Sequence, residues 1–339
     1  MNTIRAGLAV LAVCVLAAPV AGHVPSFPED NTTPERALQV PDAVKSWSFY
    51  DRLDRGQVRY YQFSLDAGER LRVGTFTPQS GAFAPSLVVM SPASNATDTV
   101  PAGLTVPEGM GRVVVAGERP ERASYEPFAP SANYHTADVD HPVESDRTYL
   151  VAVYEASNRS GQVGVTVGYA EQFSPTEYVT VPFDLVQVRL WSGQHPLVLL
   201  APWLLTLVAG VAFVRRRRRQ DWDTPVVRGA LVVAGLLILG SAVSTTAQTA
   251  LALSKTGPTA GALVTAAFVV VPLVCGTWIL GTAVRGDPPS AGRIRVGLTI
   301  AAVATLATWA GFVVAPAALL VLALLPRRTL RSGTDGNQR

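Results

Sequence analysis

The chain has 339 residues, a formal net charge of +3 and 16% charged side chains, a modest basic balance that hides two unlike halves. Residues 23–190 carry 21 acidic and 13 basic side chains, whereas residues 191–339 carry 4 acidic and 14 basic ones. The basic residues of the second half flank apolar runs, where they act as topology determinants, so the composition argues against a nucleic-acid partner.

The chain opens like a secretory signal peptide over residues 1–22. Arg5 supplies the positive start, residues 8–18 the apolar core, and Val20-Ala21-Gly22 a small-residue cleavage site. Cleavage there would make His23 the first residue of an exported domain spanning 23–190, long enough to fold on its own core. Cys14 lies in the signal and Cys275 in a later apolar run, so the exported part has neither disulfides nor thiolate metal sites. Three Asn-x-Ser/Thr sequons, at Asn31, Asn95 and Asn158, all fall in that part and are candidate glycosylation sites.

Strand patterns dominate from Ser46 onward. In residues 57–65 the period of two puts Arg59, Tyr61, Phe63 and Leu65 on the core face, with Arg59 at its edge. Asp66-Ala67-Gly68-Glu69 is a turn, and residues 70–78 return as a second strand. Short strands are expected at 85–90 and 111–116. A final hairpin is expected over 148–154 and 162–169, turning through Asn158, Ser160 and Gly161. Several short strands at this spacing, with no helical period between residues 46 and 170, predict an all-β sandwich. Residues 169–190 then read as a connector packed down one side of it, and Trp191 as an interfacial aromatic anchor.

Residues 191–326 predict an α-helical transmembrane bundle. Spans are expected at 195–214, 229–253 and 260–284, none containing Asp, Glu, Lys or Arg. Arg215, Arg216, Arg217, Arg218 and Arg219 follow the first span directly and are expected to stay in the cytoplasm. The domain ahead of them is then extracytoplasmic and the protein a multi-pass resident of the cell membrane. The last apolar stretch, 296–325, fits one long helix or a hairpin turning near 311–316, giving four or five spans. Positive charges in the basic tail, 327–339, favour five. Gln248 with Ser244, Thr245 and Thr246 is the most polar intramembrane group, a candidate transport path or simply self-bonded helix residues. Gly235, Gly240, Gly276 and Gly281 are expected to permit close helix packing.

The segment Arg59-Tyr60-Tyr61-Gln62-Phe63-Ser64-Leu65-Asp66-Ala67-Gly68-Glu69-Arg70-Leu71-Arg72-Val73 resembles the opening of pre-peptidase C-terminal-like domains. Residues 147–154 with 161–167 resemble their closing hairpin. The resemblance covers roughly residues 45–169 and implies a jelly-roll accessory module with no catalytic residues. The Pro- and Gly-rich stretch 92–145 departs from it.

No His-Glu-x-x-His, Gly-x-Ser-x-Gly, phosphate-cradling glycine loop or Cys pair occurs. One constellation suits a metal. His23, with its α-amine freed by cleavage, and the group His135, Asp138, Asp140 and His141 offer nitrogen and carboxylate ligands suited to Cu(II). The pattern is similar to exported copper-binding sandwiches that begin with His. The leading expectation is instead a non-enzymatic, membrane-anchored surface protein. Its partners would be the lipid bilayer and an extracytoplasmic protein, glycan or envelope component, with no resident cofactor. Copper handling and a role in transport are the alternatives.

Overall fold

The computed structural model describes residues 22–92, 94–217, 225–284 and 291–326. The signal segment up to residue 21, Arg218, Arg219 and the tail 327–339 lie outside them. Contacts divide the chain into a β-rich unit, residues 21–194 with 252–259, and a helical unit.

The β-rich unit contains eleven strands among the described residues: β1 (Val24–Ser26), β2 (Leu38–Gln39), β3 (Trp47–Leu53), β4 (Arg59–Leu65), β5 (Arg70–Thr77), β6 (Pro85–Ser91), β7 (Gly111–Val115), β8 (Ser124–Glu126), β9 (Ser131–Pro142), β10 (Arg147–Glu155) and β11 (Gly161–Val167). They form a six-stranded sheet ordered β1-β3-β11-β5-β9-β8 and a five-stranded sheet ordered β2-β4-β10-β6-β7. β1 and β2 pair in parallel with β3 and β4, and the remaining pairs are antiparallel. The turns form where the sequence predicts them. Gly68 takes φ 92 between β4 and β5, and Asn158 takes φ 58 between β10 and β11.

Alternation builds one core from both sheets. Phe49, Leu71, Val73, Val163 and Val165 from the larger sheet join Tyr61, Phe63, Leu65, Val151 and Val153 from the smaller. Burying each such aliphatic side chain contributes roughly 1.5–3 kcal/mol. The Phe49 and Tyr61 rings tie the sheets together at 5.3 Å between centroids. At the core edge, Arg59 of β4 meets Asp51 of β3 at 2.9 Å, with both side chains largely buried. Burial raises the Asp51 carboxyl pKa, an effect that the Arg59 charge partly offsets.

The outer face of the smaller sheet, opposite the expected core face, is buried as well. Val58, Tyr60, Val88, Met90, Leu150 and Ala152 form a second core with Leu104, flanked by Val100, Val106 and Met110. The Pro-rich segment after β6 therefore covers this face. The Tyr60 hydroxyl accepts from the Thr105 amide at 2.8 Å, pinning the cover down.

The expected connector contains a helix, α1 (Pro175–Trp191). Ser174 and Glu177 form a capping box and Pro175 starts the first turn, a start signal written in the sequence. Lys45 donates to Glu177 at 2.6 Å, tying that end to the sheet, and α1 packs on β1 and β3. Trp191 is a packing residue of this unit. Its ring sits edge-on to Tyr50 (4.9 Å) and Phe76 (6.0 Å), and its indole N–H donates to the Asp51 carbonyl at 2.6 Å. The sequence marked this position as an interfacial aromatic anchor; the structure shows the ring packed on the sheet.

The helical unit contains α2 (Pro196–Arg216), α3 (Pro225–Thr256), α4 (Gly261–Val284), α5 (Ala291–Ala307) and α6 (Val314–Leu324). Among the described residues, α2, α3 and α4 are long and apolar enough to cross a membrane. The last apolar stretch is broken, as a hairpin requires. Gly311 takes φ 77 in the break, and its amide donates to Ser241 Oγ at 2.8 Å. Arg295 near the start of α5 donates to the Leu324 carbonyl at the end of α6 (3.4 Å), so the two helices run antiparallel. Eleven residues make α6 about 16 Å long, shorter than a hydrocarbon core of about 30 Å.

Leu231, Ala234 and Ile238 of α3, spaced three and four apart, pack with Ile279, Leu298 and Leu319. Gly235 and Gly276 allow the α3 and α4 backbones to meet: a Cβ on Gly235 would lie 3.4 Å from the Gly276 carbonyl oxygen. Gly240 lies under Trp203 and also serves packing, whereas a Cβ on Gly281 would meet nothing within 4 Å. Thr246 and Thr249 donate to carbonyls four residues earlier, at 2.8 and 2.7 Å, the self-bonded arrangement.

Candidate functional site

A cleft in the β-rich unit lies between α1 and the outer face of the six-stranded sheet. Alternation turns Tyr50 of β3, Phe76 of β5 and Gly164 of β11 outward, because their neighbours Phe49, Val73 and Val165 fill the core. A register shift beside Thr75 and Phe76 sends Thr136 inward, where its hydroxyl donates to the Pro85 carbonyl at 2.7 Å. His135 consequently stands outward beside Phe76, their ring centroids 5.8 Å apart. Only glycine fits under the Phe76 ring, since a Cβ on Gly164 would lie 2.1 Å from it.

Together with α1 and the β8–β9 hairpin, these residues enclose a cavity of about 80 Å³. That is room for a few water molecules or a small polar group. Its wall combines aromatic rings (Tyr50, Phe76 and Trp191) with titratable side chains (His23, Glu126, His135 and Arg189). Arg189 reaches from α1 to donate to the Pro130 carbonyl. The residue is half-exposed but its guanidinium is sheltered, which lowers its pKa to about 10, still cationic at neutral pH. Burial lifts the Tyr50 phenol to about 12, and also raises the Glu126 carboxyl, with Glu171 adding to the latter.

His23 Nδ1 is hydrogen-bonded to the Ser46 hydroxyl. Burial of its ring, then Arg72, then His135 lower its pKa to about 4, and burial likewise lowers that of His135. Both residues keep exposed surface, and solvent there screens part of the penalty. The Ser46–His23 contact has the look of a nucleophile–base pair, yet Ser46 is only 1% exposed and closed to a substrate.

Of the metal-candidate residues, the structure brings His23 and His135 into this cleft. Asp138 is close enough for its charge to favour protonated His135. Asp140 instead pairs with Arg70 at 2.7 Å, and His141 lies at the far end of β9, six residues or about 20 Å along the strand from His135. These residues therefore stand on a strand, where the sequence suggested a Pro-rich loop. Among the described residues, no group of three or more His, Cys, Asp or Glu is placed to hold a metal ion.

The sequons differ in access. Asn95 and Asn158 are exposed, whereas Asn31 is 1% exposed and its amide donates to the Tyr60 carbonyl at 3.2 Å, closing that site in the folded unit. Arg215 and Arg216 end α2, Arg217 is its C-cap, and Arg218 and Arg219 lie outside the described residues.

Sequence reading missed Glu126 and Arg189. The one usable signal was the Ser174–Glu177 capping box, which announces α1 and hence a face for Arg189. Compared with known proteins, the chain matches no protein-family model and no curated protein.

Proposed function

We propose that this is a non-enzymatic, membrane-anchored surface protein whose β-rich unit stands outside the cytoplasm and binds a partner protein, a glycan or an envelope component. The observation that carries this reading is α1. It is fixed to the sheet at one end by its capping box and Lys45, and at the other by Trp191 and Arg189. After four intervening residues the chain enters α2, a helix apolar enough to cross a membrane. A ligand cleft built against such a connector suits an anchored binding module. The jelly-roll accessory fold suggested by the 59–73 and 147–167 segments belongs to the same proposal, as does the cytoplasmic side of Arg215, Arg216 and Arg217.

Photo-crosslinking from Asn133, at the cleft wall, tests binding in intact cells. A discrete adduct that is missing when the crosslinker stands at exposed Glu144, away from the cleft, supports the reading. Equal adducts from both positions, or none from either, count against it. A second reading, copper handling, draws on His23 and His135 sharing the cleft. A Cu(II)-dependent rise in melting temperature that survives His141→Ala but not His135→Ala would support it.

A further inference from the structure

The cleft contains a sheltered cation, Arg189, that forms no ion pair among the described residues. The ionisable groups that its charge feels are the phenols of Tyr50 and Tyr125, and burial lifts the Tyr50 phenol to about 12. His23, just before β1, and His135, from β9, line the same cleft, and burial lowers the pKa of both. Glu126, from β8, also lines the cleft; burial raises its carboxyl pKa, and among the described residues no ion pair joins it to Arg189. A sheltered charge is costly unless something of opposite sign compensates it.

We propose that the α1 cleft is a binding site for a small organic carboxylate, with the Arg189 guanidinium as its counterion. The planar fork of a guanidinium matches a carboxylate through two parallel hydrogen bonds. The volume of about 80 Å³ admits a carboxylate head and little more, so the rest of the ligand extends out of the cleft, whose wall includes Trp191 and Tyr50. Those rings offer apolar faces to a carbon chain or a sugar ring. Charge selects carboxylate over phosphate. One guanidinium neutralises a single negative charge, whereas a phosphate dianion would leave a second charge uncompensated in the cleft. This inference deepens the binding-module reading by naming a ligand class. It is tested on purified protein, so an error in the assigned orientation would show elsewhere and leave it standing.

The test uses the full chain in detergent at pH 7, titrated with sodium acetate, glucuronate, glucose and inorganic phosphate. The readouts are melting temperature and the fluorescence change that Trp191→Phe abolishes. Acetate and glucuronate should bind saturably in the millimolar range, as expected for so few contact atoms, while glucose and phosphate bind at least tenfold more weakly. Arg189→Lys keeps a charge and a donor for the Pro130 carbonyl but loses the fork, and should weaken carboxylate binding about tenfold with near-UV circular dichroism unchanged. Arg189→Gln should remove binding, and if it fails to fold the lysine variant decides alone. Unaltered acetate affinity in Arg189→Lys would overturn the proposal. So would no saturable carboxylate binding to the wild type, or tighter binding of phosphate.

Discussion

Replacing Trp191 with alanine separates its two possible roles, closure of the cleft and anchorage in a membrane interface. The side chain is half-buried, so truncation exposes roughly 100 Å², worth about 2.5 kcal/mol at ~25 cal/mol per Å². The edge-on contacts with Tyr50 and Phe76 add about 0.5–1.5 kcal/mol each, and the hydrogen bond to the Asp51 carbonyl about 1 kcal/mol. Freed side-chain entropy returns about 1 kcal/mol. The net cost is about 4 kcal/mol, inside the range known for buried Trp→Ala changes. For a unit of this size that lowers the melting temperature by about 8–16 °C. Trp191→Phe keeps most of the packing and loses the hydrogen bond, so its fall should be about a third as large. The assay is thermal unfolding of the full chain in detergent, followed by near-UV circular dichroism. An unchanged melting temperature for Trp191→Ala, with altered membrane extraction, would refute the packing argument and restore the anchor.

Gly164→Ala places a methyl group against the Phe76 ring, and overpacking of this kind costs about 1–3 kcal/mol. Chemical denaturation should show that loss together with increased solvent quenching of Trp191, and wild-type stability would contradict the described contact. Ser174→Ala removes the helix cap and should cost about 1 kcal/mol, visible as faster amide exchange in the first turn of α1. His23 has a folded pKa below its unfolded value of about 6.5, so the unfolded chain binds more protons in the interval between them. Its contribution to stability is therefore present above pH 6.5 and lost as pH falls toward about 4. The stability gap between wild type and His23→Gln should narrow across that window, and a gap that widens would reverse the reasoning. Other groups facing His23, including Arg72, His135 and Ser46, are common to both proteins and cancel in the comparison.

Much of the β-rich unit was legible because period-two alternation reports directly on which face is buried. Tyr61, Phe63 and Leu65 occupy the core as that pattern requires, and Gly68 and Asn158 make the turns. Alternation fails where both faces are covered. Tyr60 and Val58 fell on the face opposite the expected core, and the segment that covers them, around Leu104, has no period of its own to announce it. α1 was overlooked because its apolar residues do not gather on one stripe, although its cap was plain at Ser174 and Glu177. The cleft was the least legible feature. His23, Tyr50, Glu126, His135 and Arg189 come from five separate segments, and only strand order brings them together. The metal grouping erred for a related reason. Closeness in sequence along β9 puts Asp140 and His141 many ångströms from His135 once the strand is extended.

The proposed function requires the β-rich unit to stand outside the cytoplasm. A single cysteine placed at exposed Ser145, in a chain with Cys14→Ser and Cys275→Ser, can be offered a membrane-impermeant maleimide on intact cells. Labelling before lysis, to the extent seen after it, is the predicted result. Labelling that appears only once the cells are broken would put the cleft in the cytoplasm and contradict the proposed function.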